Sequence, residues 1–344
     1  MRRGLVVGKF MPLHRGHQLL IETALAYVDE LTVVVYDTNV DPVWDIVMPA
    51  QKRANWITAL YPNVHDVVTV PDPLEGDYKE HDDPKYAQVY ADQLAFLGPF
   101  THIFSSESYG VPFAEAFSRH GYIPQHITVD SARNLMPISG TQFREDMYQY
   151  RAYVDPLVYR SLIQKVVFVG TESTGKSTLA HLMAERMDTL NTSEYGRTRW
   201  EDLKSWGIEP AFHDLWEIGK TQYEQEQAAA LHSNRFLFCD TNAWTTMMWS
   251  LMYHDVADAR LIDLAWRTKD EYIWILCKND FGWVDDGSRE LKNGKAEAFQ
   301  AKLHNNLIAW NIPFSVIKGD LEHRISSVKR ILDKKSMYRG LSDT

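Results

Sequence analysis

Residues 4–17 read GLVVGKFMPLHRGH, and residues 165–177 read KVVFVGTESTGKS. Each stretch is a short apolar run that is followed at once by a glycine-bearing turn and then by a helical pattern. A continuous apolar run is typical of a parallel strand whose two faces are both buried. The sequence therefore predicts two α/β units, each of which opens with its own first strand.

Strands that alternate with helices follow both openings, and this pattern predicts a doubly wound parallel sheet in each half. The predicted strands are 4–8, 31–37, 67–70, 102–106 and 126–130, then 165–170, 235–240, 272–277 and 315–319. The predicted helices are 15–28, 51–60, 84–97, 112–120 and 141–151, then 176–188, 212–233, 256–267, 295–309 and 321–334. We expect an α/β protein with two doubly wound parallel-sheet domains, 1–162 and 163–344.

Composition and charge exclude several classes of protein. The 344 residues carry 36 Lys+Arg against 46 Asp+Glu, and a net charge of −10 argues against a general affinity for nucleic acid or anionic membrane. The two cysteines, Cys239 and Cys277, lie in apolar runs, so we expect neither a disulfide framework nor a thiolate metal cluster. No signal peptide and no run of ~18 apolar residues is found. We therefore expect a cytoplasmic protein.

The stretch 8–17 lies where the first strand ends and a helix begins, which is where open α/β sheets bind ligands. Gly8 permits a tight turn, and Gly16 lets a phosphate approach the free N–H groups of the helix N-terminus. His14 and His17 are three residues apart and can donate hydrogen bonds to phosphate oxygens as charge develops on them. This chemistry needs no nucleophilic side chain.

Residues 170–177 fit the motif G-x-x-x-x-G-K-[ST], directly after a predicted strand and before a predicted helix. Lys176 is expected to reach the β and γ phosphates, and the Ser177 hydroxyl to bind Mg²⁺. Asp240 ends another strand, where it could bind Mg²⁺ through water, accept a proton from an attacking hydroxyl, or merely cap the next turn. The expected nucleotide-binding residues are Gly170, Thr171, Glu172, Ser173, Thr174, Gly175, Lys176, Ser177 and Thr178.

Three stretches carry weaker signals. Glu194, Tyr195 and Arg197 combine a charge, an aromatic ring and a guanidinium, so they could line an acceptor pocket or form a surface salt-bridge cluster. Arg289 could be brought to the transferring phosphoryl group by a lid, or it could belong to a plain solvated loop. The acidic segment 71–86 leaves the same two alternatives open, a solvated loop or a lid over a substrate.

The decamer 8–17 resembles the G-x-F-x-P-x-H-x-G-H signature of the nucleotidyltransferase superfamily, and 138–144 resembles its companion I-S-x-T-x-x-R. With the P-loop motif that follows, the chain from about residue 3 to about residue 335 resembles the NadR-type bifunctional enzymes. The resemblance implies a Rossmann-like nucleotidyltransferase followed by a P-loop kinase. Local pieces similar to this family are EYGR (194–197), CDTN (239–242) and WVDDGSR (283–289).

The resemblance implies two successive reactions of NAD biosynthesis. The kinase phosphorylates nicotinamide riboside with ATP, and the transferase joins nicotinamide mononucleotide to the AMP part of ATP, giving NAD and pyrophosphate. It implies ATP as substrate and Mg²⁺ as cofactor, and it permits a homo-oligomer. The acidic net charge argues against a DNA or membrane partner. The implied catalytic residues are His14, His17, Arg144, Lys176 and Asp240. The implied ATP contacts of the first domain are Gly8, Lys9, Phe10, Ser139, Gly140 and Thr141.

Three features depart from the family pattern. The helix-turn-helix domain of some members is not found, so a repressor function is not expected. The family's tryptophan segment is not recognisable, and Tyr78, Tyr86 and Tyr90 stand in that region instead. Asn242 stands where a second acid would strengthen a magnesium site.

Two other functions stay open at this point. Sulfate adenylyltransferase fused to adenylylsulfate kinase pairs the same motif types, although its transferase half is normally much larger than residues 1–162. A nucleotide-sensing regulator would bind NAD or ATP without turnover. Release of ADP and pyrophosphate separates an enzyme from such a regulator.

Overall fold

The structure is a computed structural model that describes residues 1–38, 41–74, 84–208, 211–280 and 294–339. The chain divides into two compact units, Met1–Leu162 and Ile163–Thr344. Within the described residues, each unit has a five-stranded sheet whose paired strands are all parallel. The expected α/β class with two parallel sheets is confirmed.

The sheet of the first unit has the strand order β3-β2-β1-β4-β5. Its strands are β1 (Arg3–Gly8), β2 (Glu30–Asp37), β3 (Asp66–Pro71), β4 (His102–Ser105) and β5 (Gln125–Thr128). Its helices are α1 (Arg15–Tyr27), α2 (Trp44–Val47), α3 (Ala50–Leu60), α4 (Pro84–Leu94), α5 (Gly110–Ala116), α6 (Gly140–Glu145) and α7 (Pro156–Ser161). The order reverses between β1 and β4, and the carboxyl ends of strands at such a reversal form the usual ligand-binding crevice.

The predicted helix 141–151 is confirmed only in its first part, because α6 already ends at Glu145. Asp146 leaves the helical conformation, and its carboxylate accepts a hydrogen bond of 2.8 Å from the backbone N–H of Gln149. A short polar side chain that bonds nearby backbone in this way competes with helix continuation. A 3-10 turn, Arg151–Tyr153, follows instead.

The sheet of the second unit has the strand order β10-β9-β6-β8-β7. Its strands are β6 (Gln164–Val169), β7 (Leu190–Thr192), β8 (Phe236–Asp240), β9 (Tyr272–Cys277) and β10 (Phe314–Ile317). Its helices are α8 (Lys176–Arg186), α9 (Tyr195–Ser205), α10 (Phe212–Ala230), α11 (Ala243–Tyr253), α12 (Ala259–Thr268), α13 (Lys295–Ala309) and α14 (Leu321–Lys335). Both free cysteines are buried in this sheet, as the sequence suggests.

Three elements of the second unit, β7, α9 and α11, were not predicted. Strand β7 has only three residues, two of them polar, and lies at the sheet edge. Helix α11 buries most of its length and therefore lacks the one-sided apolar period of a surface helix. Asn242 caps α11, because its side-chain oxygen accepts a hydrogen bond from the N–H of Thr245 at 3.2 Å.

Candidate active sites

The first site is built around two stacked histidines where α1 begins. The rings of His14 and His17 lie 3.6 Å apart, and Nδ1 of His14 accepts the backbone N–H of His17 at 3.3 Å. Since Nδ1 of a neutral His14 accepts, its proton is on Nε2, which is left to donate to a ligand. Nδ1 of His17 lies 3.1 Å from the carbonyl oxygen of Pro12, which can only accept. The backbone N–H of His14 also points at this Nδ1, at a longer 3.4 Å, so the two contacts call for opposite tautomers. The shorter contact favours a proton on Nδ1 of His17, and in that tautomer its Nε2 donates only after a second proton binds.

The basic groups of this site are held out of water. Burial is the largest cause in each case: it lowers the pKa of Lys9 to about 8 and that of His17 to about 4. Burial and the neighbouring His17 and Arg133 drive the pKa of His14 far below its usual range, and burial also lowers that of Arg144. Desolvated positive charges are costly unless a counter-charge arrives. The arrangement thus favours a bound polyanion.

The start of α6 completes the site. Ser139 caps this helix through a 3.2 Å hydrogen bond that its Oγ accepts from the N–H of Gln142. Arg144 donates to the Met11 carbonyl at 2.8 Å, which ties α6 to the loop after β1. A Cβ on Gly140 would lie 2.7 Å from the same Met11 oxygen, so this close approach requires glycine.

The structure brings together every residue that the sequence assigned to this site. They line one cavity of about 700 Å³: Gly8, Lys9, Phe10, His14, His17, Ser139, Gly140, Thr141 and Arg144. Phe10 has a left-handed backbone (φ 51°) and packs edge-on against His17, with the ring centroids 5.0 Å apart. The cavity volume lies within the range typical of small-ligand sites.

Sequence reasoning missed Arg133, which lines the same cavity. The Asp130 carboxylate accepts backbone N–H groups of Asn134, Leu135 and Met136 and thereby orders the turn that carries Arg133. Arg133 itself has φ 53°, and it pairs with Glu107 at 3.1 Å. No motif marks this turn, and only its position shortly before residues 138–144 could have drawn attention to it.

Part of the cavity is lined by tyrosines and an acid. Tyr36, Tyr90 and Asp72 lie here, and the Tyr90 hydroxyl donates to Asp72 at 2.8 Å. Of the tyrosines noted in the sequence, Tyr90 is thus at the site, Tyr86 is not among the lining residues, and Tyr78 lies outside the described residues. Most of the acidic segment 71–86 also lies outside them.

The second site is the P-loop between β6 and α8. Gly170, Ser173 and Gly175 have φ values of 150°, 62° and 76°, and a Cβ on Gly170 would lie 2.8 Å from the Cys277 carbonyl oxygen. Nζ of Lys176 donates to the Thr171 carbonyl at 2.8 Å. The ammonium group of Lys176 is therefore bound to the backbone of its own loop. It must leave the Thr171 carbonyl before it can contact a phosphate.

Lys176 and Asp240 both lie within electrostatic reach of Glu194. Asp240 is buried at the end of β8, and its Oδ1 has no hydrogen-bond partner in the described part of the chain. Burial raises the pKa of Glu194, with Asp240 adding to the rise and Lys176 and Arg197 opposing it. Glu194 therefore belongs to the P-loop site, and the capping role considered for Asp240 is taken by Asn242.

The other residues predicted for this site differ in exposure, and not all of them are among the described residues. Arg197 is exposed, with its Nη2 3.6 Å from Glu194, and the backbone N–H of Tyr195 donates to Gln222. Arg289 lies outside the described residues. Ser177 is exposed in the first turn of α8. Mg²⁺ held by nucleotide phosphates needs only one or two protein oxygens, and the Ser177 hydroxyl and Asp240 carboxylate are of the right kind.

These two sites define a protein with two nucleotide-binding α/β domains. Residues 5–146 match the family described as Cytidylyltransferase-like, and residues 165–324 match the AAA domain.

The chain is similar to NadR proteins over most of its length, and the resemblance seen in the sequence is confirmed. It is 29% identical over 337 residues to the trifunctional NAD biosynthesis/regulator protein NadR of Escherichia coli (strain K12), covering 90% of this chain and 77% of the relative. The same protein of Salmonella typhimurium (strain LT2) is also 29% identical, over 343 residues, with 92% and 78% covered.

The fold is shared with NadR crystal structures. The NadR protein in complex with NR matches with a TM-score of 0.55 at 18% identity, covering 100% of this chain and 97% of that chain. The complex of NadR with NAD and AMP-PNP matches with a TM-score of 0.53, the same identity and the same coverage.

Proposed function

We propose that this chain makes NAD in two steps. The second unit phosphorylates nicotinamide riboside with Mg-ATP, and the first unit adenylylates the resulting nicotinamide mononucleotide, releasing pyrophosphate. The observation that carries the proposal is that one chain has a cavity lined by the residues predicted for the first site and a P-loop that opens α8, and matches NadR along nine tenths of its length. The product of the kinase is the acceptor of the transferase, so the two activities form one route.

In the transferase step, a 5′-phosphate oxygen of nicotinamide mononucleotide attacks the α-phosphorus of ATP, and the bond to pyrophosphate breaks. Nε2–H of His14 and the guanidinium of Arg144 stabilise the charge that develops on the phosphate oxygens. His17 becomes a donor once the bound triphosphate raises its pKa and it takes up a second proton. Tyr36, Tyr90 and Asp72 face the acceptor.

In the kinase step, the riboside 5′-hydroxyl attacks the γ-phosphorus and ADP leaves. Lys176 exchanges the Thr171 carbonyl for the β and γ phosphates. Ser177 and Asp240 would hold Mg²⁺, which would offset the negative charge of the phosphates. We assign to Glu194 the role of general base that accepts the proton of the riboside hydroxyl. A carboxylate with a raised pKa is a better proton acceptor than one with an ordinary pKa.

Two assays with ATP test the proposal, one started with nicotinamide riboside and one started with nicotinamide mononucleotide, so that each step is measured by itself. Nicotinamide mononucleotide and NAD are quantified separately, together with ADP and pyrophosphate. Lys176→Ala should abolish only phosphorylation, and His17→Ala should strongly reduce only NAD formation. Loss of both activities in either folded variant would refute the two-site scheme. Nucleotide-induced melting shifts without ADP or pyrophosphate release would indicate a sensor instead.

We also expect the protein to act in the cytoplasm without binding DNA. The net charge of −10 and the two reduced, buried cysteines support this expectation. In the described part of the chain, no helix has both the length and the apolar character needed to cross a membrane. Gel-shift assays with random duplex DNA test the expectation about DNA, and light scattering determines whether the chain forms homo-oligomers.

A further inference from the structure

Each unit contains a fully buried arginine that donates hydrogen bonds to backbone carbonyls. In the first unit, Arg53 on α3 has an exposed fraction of 0%. Its Nε donates to the Met48 carbonyl at 2.7 Å, and its Nη1 donates to the Tyr36 carbonyl at 2.9 Å and to the Lys9 carbonyl. One guanidinium therefore joins the loop after β1 to the end of β2.

Arg324 on α14 does the same in the second unit, where 1% of it is exposed. Its Nη1 donates to the Thr174 carbonyl in the P-loop at 2.7 Å, and its Nη2 donates to the Lys278 carbonyl at 2.9 Å. Its Nε donates to the Gly319 carbonyl at 2.8 Å, and its Nη2 also donates to the Asp280 carboxylate. This guanidinium joins the P-loop to the chain just after β9.

The two arginines occupy equivalent places although their helices differ. In each sheet, the strand that leads into the phosphate loop pairs with the strand whose end the arginine also contacts, β1 with β2 and β6 with β9. A guanidinium offers five N–H donors in a rigid fork, so it can hold several carbonyls at fixed angles. Burying a guanidinium charge costs free energy. A gain in packing stability alone therefore does not explain why arginine occupies these two positions.

The carbonyls that the arginines hold decide where the next N–H groups point. In a planar trans peptide, the C=O and the following N–H point in opposite directions. The Thr174 carbonyl turned towards Arg324 therefore directs the N–H of Gly175 away from Arg324. The Lys9 carbonyl turned towards Arg53 likewise directs the N–H of Phe10 away from Arg53. Both N–H groups belong to residues assigned to the phosphate sites.

We propose that Arg53 and Arg324 are positioning residues that hold the two phosphate loops in the shape that accepts a triphosphate before it binds. They touch no substrate and act through the loop backbone. The kinetic consequences rest on the proposed function, whereas the effect on loop order does not.

The test replaces each arginine with lysine and with methionine in the full chain. Lysine keeps the charge but loses the fork, so Arg53→Lys should raise the KM for ATP of the transferase about tenfold. Arg324→Lys should do the same to the kinase. Each methionine variant should lose about 10²-fold in kcat/KM of its own step. The other activity of the same chain should stay within twofold, which shows that the protein is folded.

Matched controls are the exposed, ion-paired arginines in the variants Arg2→Lys and Arg260→Lys, one in each unit. Peptide-resolved amide hydrogen exchange gives a readout that needs no activity. Arg53→Lys should speed exchange in residues 8–14 but not in 170–176, and Arg324→Lys should do the reverse.

The outcomes separate this proposal from the proposed function. An inactive wild type with the expected exchange pattern would refute the function but support the positioning role. Active lysine variants with unchanged KM, or exchange no different from the controls, would refute the positioning role. In an active enzyme, faster amide exchange without a change in KM or kcat/KM would mean that the arginines have a purely structural role. That result would also refute the positioning role.

Discussion

The two phosphate sites present different groups to the same kind of ligand. In the first unit, the cavity is lined by basic side chains, among them the buried His14 and the half-buried Lys9 and Arg144. In the second unit, the loop from Gly170 to Gly175 relies on its backbone, and three of its residues have positive φ. A site made of titratable side chains responds to pH, whereas a site made of backbone depends on exact loop shape. We therefore expect pH to change phosphate binding more in the first unit, and substitutions that alter loop shape to change it more in the second.

The largest effect should come from Gly170→Ala, which challenges the backbone site directly. Gly170 has φ 150°, and a Cβ there would lie 2.8 Å from the Cys277 carbonyl oxygen. Strain and displacement of the loop should lower the kinase kcat/KM by more than about 10²-fold. The transferase should be unaffected.

Gly207→Ala is the matched control for that change. Gly207 also has positive φ, 70°, but an added Cβ would meet nothing within 4 Å. It should cost some stability and leave the kinase rate within about threefold. If Gly170→Ala and Gly207→Ala change the kinase rate by the same factor, the shape of the P-loop does not limit the activity of the second site.

The next effect separates the two acids of the kinase site. Glu194→Gln should lower kcat of the kinase about 10²-fold, because it removes the proton acceptor. The wild-type rate should fall as pH drops through the raised pKa of Glu194, and the variant should lose this acid limb. Asp240→Asn should instead raise the Mg²⁺ concentration needed for half-maximal rate and keep the limb. If Asp240→Asn removes the limb, the two roles are exchanged.

A smaller effect concerns protons taken up when ATP binds to the first unit. In the free protein, the pKa of His17 is about 4 and that of Lys9 about 8, both lowered by burial. A bound triphosphate raises both values, so ATP binding at pH 7.5 should take up on the order of one proton. Titration calorimetry in buffers of different ionisation enthalpy measures this number, with Lys176→Ala silencing the second site.

His17→Gln in the same Lys176→Ala background is the informative variant for proton uptake. It should remove most of the uptake and weaken ATP binding about tenfold. If uptake is zero in the parent, the first site does not use protonated His17, and His14 and Arg144 carry the phosphate contacts.

The sequence predicted the parts of this molecule that depend on local pattern. Both motifs follow a strand and open a helix, so the positions of His14, His17 and Lys176 could be read directly from residues 8–17 and 170–177. The meeting of Arg144 with the Met11 carbonyl could be expected only through the resemblance, because it joins residues far apart in the chain.

The parts that were missed depend on tertiary packing. Strand β7 is too short and polar to show a strand pattern, and α11 is too evenly buried to show a helical one. Arg53 and Arg324 look like ordinary surface cations in the sequence, since nothing local shows that their partners are distant carbonyls. Arg133 depends on a turn held by Asp130, for which no motif exists.

The smallest effect is on stability without ligand, and it again separates the two units. The pKa of His17 is lowered from 6.5 to about 4 by burial, so between these values the unfolded chain takes up a proton that the folded chain does not. The first unit should therefore lose stability as pH falls from 6.5 to 4, by up to about 3 kcal/mol from this group. Above pH 6.5 the group should have no effect.

Amide hydrogen exchange in β1 and β2 reports the stability of the first unit, and exchange in β6 and β8 that of the second. His17→Gln should flatten part of the acid loss in the first unit, and the rest should remain because the pKa of His14 is also lowered. The P-loop, residues 170–178, contains no histidine, so the variant should leave the second unit unchanged. An equal acid loss in the first unit of wild type and variant would mean that the histidine site is not desolvated, and the contrast between the two sites would then rest on loop shape alone.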